Sequence, residues 1–323
     1  MVVRINLMLE PQEGLSYTEI LAVAQHAERL GLDGCYRSDH YSSVTGSGQP
    51  LPSTDAWATL AGLARDTERI NLGTMVSPAT FRRAGNLAKV VATVAEMAGT
   101  INGGSRVHLG LGTGWLETEH RQHGFPFEDV ATRFRRLDEQ LQVVRGLWGR
   151  DIPAFDFDGE FEQLQAARFS PKPDPRPRIV VGGSGLKKTP RLAARYADEL
   201  NTPFKSPEEC ATLRDALDQA CEAEGRDPAT VGFSLMTGCV VGRDEAEVRR
   251  RAQRLYERSD RDGSFDRWLD GFAGRGVLGT PEQAADKLGR LGEAGIEAVM
   301  LQHLLYDDLD MLEVVAEDIA PLL

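Results

Sequence analysis

Short β-branched, apolar runs alternate along this chain with longer stretches whose apolar residues recur every three to four positions. The runs at 3–9, 34–38, 70–76, 107–112, 178–183, 199–201, 231–241 and 298–303 predict eight strands. The stretches at 17–30, 55–66, 86–98, 130–147, 187–196, 207–224, 244–257 and 281–294 predict eight helices. Ser206-Pro207-Glu208 and Thr280-Pro281-Glu282 each set a capping hydroxyl before a first-turn proline, which marks two helix starts. Eight strand–helix pairs, with a last helix at 310–322 closing the ring, predict a (β/α)₈ TIM barrel, an α/β fold, occupying 1–323 as one domain. The rival architecture is a doubly wound open sheet. A sheet of that kind ordinarily divides a chain this long into two domains, and no linker-like break interrupts the alternation. A barrel needs roughly 250 residues, and the excess falls in three segments. These are a Gly/Ser/Pro-rich loop at 40–54, a stretch at 149–177 with a hairpin-like 155–161, and an Arg/Asp/Gly-rich loop at 259–279.

Composition narrows the class. Of the 323 residues, 41% are hydrophobic and 27% charged, the balance of a soluble globular chain with a core large enough to need no staple. The formal charge of −12, from 37 basic and 49 acidic side chains, argues against a nucleic-acid-binding face. No run approaches the roughly 20 apolar residues of a membrane span, and the N-terminus lacks a signal peptide's apolar core and cleavage site. A cytoplasmic protein with no membrane partner is expected. Cys35, Cys210, Cys221 and Cys239 are scattered without metal spacing and read as free thiols, so no metal is expected.

Chemistry concentrates where strands end. Gly110-Leu111-Gly112-Thr113-Gly114-Trp115 is a glycine-rich corner that fails the dinucleotide fingerprint, because Trp115 stands where the third glycine would fall. What remains is a strand end without side-chain bulk, open either to a close ligand approach or to a plain turn. Gly182-Gly183-Ser184-Gly185 with Lys187, Lys188 and Arg191 follows a strand and opens a helix, which suits a phosphate; a structural glycine turn is the alternative. Asp39-His40 ends strand two and serves either acid–base work or loop anchoring. His303 ends the last strand, and His120 and His123 follow the glycine corner. Met75-Val76-Ser77-Pro78 sets a proline directly after an apolar strand, which ends ladder pairing there.

These pieces together resemble the bacterial luciferase-like oxidoreductase superfamily, and within it the branch that depends on the deazaflavin coenzyme F-420. The matching stretches are Gly31-Leu32-Asp33-Gly34 through Asp39-His40, Leu72-Gly73-Thr74-Met75-Val76 through Arg82, Leu109 through Trp115, Val181-Gly182-Gly183 through Asp198, Gly279-Thr280-Pro281-Glu282 and Val299-Met300-Leu301-Gln302. The resemblance implies a TIM barrel, usually a homodimer, that holds a flavin-like ring in its mouth and acts on a small molecule. It implies a non-prolyl cis peptide between Met75 and Val76 that forms a bulge under the ring. It assigns His40, held by Asp39, to the proton beside the hydride acceptor. Thr74, Met75, Val76, Gly112, Thr113, Gly114, Gly182, Gly183, Ser184 and Lys187 become cofactor contacts, with Trp115 and His303 in the substrate pocket. Related sugar-phosphate dehydrogenases carry a glutamate where this chain has Trp115, which disfavours a sugar phosphate and points to an apolar substrate. Hydride transfer with F-420 is the expected activity. The alternatives are an FMN-dependent monooxygenase with a reductase partner and a non-catalytic flavin-binding protein.

Overall fold

The computed structural model describes residues 2–44, 51–258 and 263–323. Eight parallel strands close into a ring: β1 (Arg4–Leu9), β2 (Gly34–Arg37), β3 (Asn71–Thr74), β4 (Val107–Gly112), β5 (Arg178–Gly182), β6 (Glu199–Pro203), β7 (Gly232–Val241) and β8 (Ala298–Gln302). β8 pairs with β1, and β4 with β5, so the ring has no open edge. The chain is a (β/α)₈ barrel, and every strand expected from the alternation is present. Among the described residues no helix is long and apolar enough to cross a membrane.

Strand alternation sorts the side chains into two layers. Ile5, Leu7 and Leu9 of β1 point outward to the helices, whereas Asn6 and Met8 point into the barrel. The helices meet the outer layer with one stripe each. Helix Tyr17–Arg29 buries Ile20, Val23, Ala24 and Ala27, the i, i+3, i+4, i+7 pattern, and starts at a Ser16/Glu19 capping box. Inside the barrel, a polar lower layer joins the Tyr36 hydroxyl to His108 Nδ1 at 2.5 Å and Ser234 to Glu199 at 2.6 Å. Above it lie Met8, Met75, Met236 and Met300, four of the chain's seven methionines, with Val76 and Val180. That choice makes the floor beneath the mouth soft and polarisable.

The expected strand at 70–76 ends early. β3 stops at Thr74, the Met75–Val76 peptide is cis, and Ser77–Pro78 rejoins β4. Ser77 lies four positions after Gly73 while its partner Leu111 lies three after His108, the partner of Gly73, so one extra residue is inserted as a bulge. The loop expected at 259–279 is largely ordered structure: a helix, Phe265–Arg275, and a short strand, Val277–Gly279, that pairs with the end of β7. Its glycines and charges masked Phe265, Trp268, Leu269 and Phe272, whose spacing seats the helix on Leu255 and Leu305. The helix expected at 310–322 widens into a π-helix over Val314–Ile319. Parts of the expected loops, 45–50 and 259–262, lie outside the described residues.

The bulge dictates what its neighbours can be. A Cβ at Gly110 would meet the Thr74 carbonyl oxygen at 2.1 Å and Val76 Cγ1 at 2.9 Å. At Gly289, an exposed helical position, nothing lies within 4 Å of such a Cβ. Gly110→Ala is therefore expected to destabilise by about 3 kcal/mol or more through overpacking. Gly289→Ala is expected to stabilise by roughly 0.5–1 kcal/mol. Thermal unfolding of the two variants beside the parent checks both signs.

Candidate active site

Val76 occupies the centre of the barrel mouth. It is half-buried, while Met75 and Ser77 on either side are buried. Glycines of two further strands make room for it: a Cβ at Gly112 or at Gly182 would stand 2.7 Å from a Val76 methyl. The bulk-free corner thus accepts a side chain of this chain, and that side chain, packed on the methionine cluster, is an apolar surface at the mouth. Thr74 stitches the gap in the ladder, its hydroxyl donating to the Gly110 carbonyl at 3.0 Å.

One flank of the mouth is built by the loops after β2, β3 and β4. Tyr41 and Phe125 each stack on Phe81, with Phe81 and Phe125 centroids 4.3 Å apart, and lean on one another at a tilt, locking the three loops together. Within this frame His40 Nδ1 lies 2.8 Å from Glu119 Oε1, and the second Glu119 oxygen accepts from the Tyr41 amide at 2.9 Å. Glu119 is fully buried and sits on a short helix, Glu117–His123. Because a carboxylate accepts at Nδ1, that nitrogen carries the proton, and Nε2 is the atom left for other chemistry. Burial opposes charge on the ring, but the hydrogen bond and charge of Glu119, with Glu10 and Asp39 behind it, outweigh burial and raise the His40 pKa. Trp115, itself 63% exposed, makes a T-shaped contact with His40, ring centroids 5.7 Å apart.

Asp39 does not hold His40. It is buried against Arg82, whose guanidinium binds it at 2.5 and 3.2 Å, and it accepts from Ser77 at 2.6 Å. Arg82 also reaches Asp55 at 2.5 Å. This is the loop-anchoring alternative, and it ties the β2 loop to the segment just beyond the bulge. Adjacent residues on an extended backbone face opposite ways, so the neighbour of His40 in sequence turns away from it.

The other flank follows β5. Gly182 ends β5, and Gly183, Ser184 and Lys187 lie on a largely exposed turn before helix Lys188–Tyr196, whose start has no side-chain cap. Pro190 has no N–H and the Arg191 amide donates to the Lys187 carbonyl, so the amides of Lys188 and Thr189 are those left for an anion at the positive end of the helix, beside the exposed Lys187. A Cβ at Gly183 would stand 2.8 Å from the Thr189 hydroxyl.

A model of the family described as luciferase-like monooxygenase matches residues 2–298. The chain belongs to this family. A pyrimidine monooxygenase RutA of Stutzerimonas stutzeri is 31% identical over 280 residues, covering 82% of this chain and 72% of that protein. An F-420-dependent glucose-6-phosphate dehydrogenase of Microbacterium testaceum is 32% identical over 211 residues, 64% of this chain and 60% of that protein. Among solved structures, an F-420-dependent secondary alcohol dehydrogenase in complex with an F-420–acetone adduct superposes with a TM-score of 0.82 at 22% identity, covering 100% and 99% of the two chains. That likeness concerns the fold.

For this luciferase-like chain, the residues expected at the site divide clearly. Thr74, Met75, Val76, Gly112, Gly182 and His40 converge on the mouth, with Thr113, Gly114 and Trp115 on its rim. His120 is a satisfied structural residue, taking Thr80 at 2.7 Å on Nε2 and giving Nδ1 to the Leu116 carbonyl at 2.7 Å. His303 is misplaced in the expectation. It follows the inward Gln302, so its ring faces outward into the helical layer, beside Leu301, Met311, Leu312 and Val315. Glu119 was missed, because nothing in the sequence pairs it with His40 across 79 positions.

Two predictions test this wiring. In Glu119→Gln the His40 pKa, read from the ring resonances by NMR, should fall below that of the parent, since burial then acts with little opposition. Neither His303 nitrogen has a hydrogen-bond partner, and burial pushes this imidazole down to about 4. The unfolded chain, with an ordinary value near 6.5, takes up the proton first. Stability is thus lost as pH falls from roughly 6.5 towards 4, by about 3 kcal/mol. His303→Leu should flatten that acid slope in denaturant melts.

Proposed function

We propose that this protein is an oxidoreductase that moves a hydride between the deazaflavin coenzyme F-420 and a small organic substrate. The observation that carries the reading is His40, with Nδ1 fixed at 2.8 Å by the buried Glu119 and Nε2 left for the substrate. When bound, the deazaflavin supplies a carbon that accepts or gives a hydride. As an alcohol C–H bond gives up its hydride, His40 Nε2 takes the hydroxyl proton, and in reverse it returns that proton to the carbonyl oxygen. Glu119 stabilises the imidazolium in between and keeps the ring oriented. Val76, with Thr74 and Met75 behind it, would support one face of the coenzyme ring, and Gly112, Thr113 and Gly114 would line its edge. Gly182, Gly183, Ser184, Lys187 and the open helix start would hold the coenzyme's phosphate. Asp39 enters as a positioning residue, through Arg82 and Ser77.

Similarity to F-420-dependent glucose-6-phosphate dehydrogenases supports this reading. The chain's match spans 60% of the length of the dehydrogenase cited above. A second reading, an FMN-dependent monooxygenase, is favoured by the broader match to the pyrimidine monooxygenase, 82% of this chain. A homodimer is the assembly we expect for either.

Titration of the purified protein with F-420 and FMN side by side decides between them. Preference for F-420 by tenfold or more supports the proposal; preference for FMN with substrate-dependent oxygen consumption overturns it. His40→Ala is expected to bind the coenzyme as the parent does while losing roughly 10²–10⁴ in turnover, the range of a lost acid–base group.

A further inference from the structure

The exposed large apolar side chains are unevenly placed. Of eight among the described residues, five (Val44, Leu51, Trp115, Leu186 and Phe204) lie on loops that follow β2, β4, β5 and β6, at the mouth end of the barrel. Apolar groups gathered at one end of a soluble barrel, around its mouth, mark a place that binds something apolar. Phe204 is the most telling. It follows the last residue of β6, is 42% exposed, and has a φ of +50°, a left-handed conformation that a bulky side chain rarely adopts. Its amide donates to the Met236 carbonyl at 2.9 Å, which holds the turn in place. The strain is kept although the ring is not thereby buried. β6 is four strands around the ring from β2, so Phe204 stands across the mouth from His40, and the Trp115 ring lies against His40.

Two buried or half-buried cations on the His40 side, Arg37 and Arg82, are already engaged. Arg37 donates to Thr54, Thr59 and the Ser38 carbonyl, and Arg82 is held by Asp39 and Asp55. An anionic substrate group beside His40 would meet the Glu119 carboxylate, with the guanidinium groups of Arg37 and Arg82 already taken.

We propose that Trp115 and Phe204 are the two apolar walls of the substrate site, so that the protein selects small neutral carbonyl compounds or alcohols with an apolar body. The placement of the polar oxygen at His40 rests on the oxidoreductase reading above; the apolar selection does not.

The test measures binding of a methyl ketone series, 2-butanone to 2-decanone, and of glucose 6-phosphate. Calorimetry is done on protein loaded with whichever coenzyme it binds. Affinity should rise about threefold to fourfold per added methylene while the walls still cover it, and glucose 6-phosphate should bind more weakly than the longer ketones. Phe204→Gly removes the ring and suits the positive φ. It should keep or raise the melting temperature while lowering 2-decanone affinity about tenfold or more, and Trp115→Ala should lower it similarly. Affinity independent of chain length, a preference for glucose 6-phosphate, or unchanged ketone binding in Phe204→Gly would each overturn the proposal. Should FMN prove the preferred coenzyme and the ketone slope persist, the apolar walls stand and only the F-420 assignment fails.

Discussion

The contact of Val76 with three glycines organises the mouth of this barrel. One extra residue in the third strand pushes Val76 inward, where it meets Gly110 and Gly112 of β4 and Gly182 of β5. A side chain at any of these three would need the space its methyl groups fill. The bulge also redirects the chain so that Ser77 reaches Asp39 and Arg82 reaches Asp39 and Asp55. The floor of the site and the anchoring of its acid–base loop therefore share one local irregularity.

Charge is distributed around His40 in two tiers. Glu119 touches the ring and holds it, while Asp39 and Asp55 neutralise Arg82 a step away. Each buried charge has a partner, as low dielectric requires. The arrangement keeps a protonatable nitrogen beside an apolar surface. Such a pairing suits chemistry in which a proton moves with oxygen while the rest of the substrate is held by shape. It also explains why a histidine in the helical layer, His303, is a different object: with no partner for either nitrogen, it is kept neutral.

The barrel was legible because its signal is periodic and repeated. Eight apolar runs separated by amphipathic stretches leave few architectures, and the strand limits fall within a few residues of those expected. The failures have local causes. Glycines and charges at 259–279 hid a helix whose apolar stripe is carried by only four residues, Phe265, Trp268, Leu269 and Phe272. The 70–76 run continued past the point where backbone geometry breaks the ladder.

The chain's order of residues determined the fold, the glycine positions and the histidine at the end of the second strand, since each depends on near neighbours or on a repeating pattern. Tertiary structure alone decided which carboxylate serves that histidine. Asp39 is adjacent in sequence yet turned to Arg82, whereas Glu119 arrives from 79 residues away on a separate helix. It also decided that His303 faces the helices and that Phe204 stays exposed just past β6. The physical reason is common to all three. A side chain's direction is set by strand parity and local φ, and its partner by which loops the closed ring brings together, and neither can be read from a residue's type.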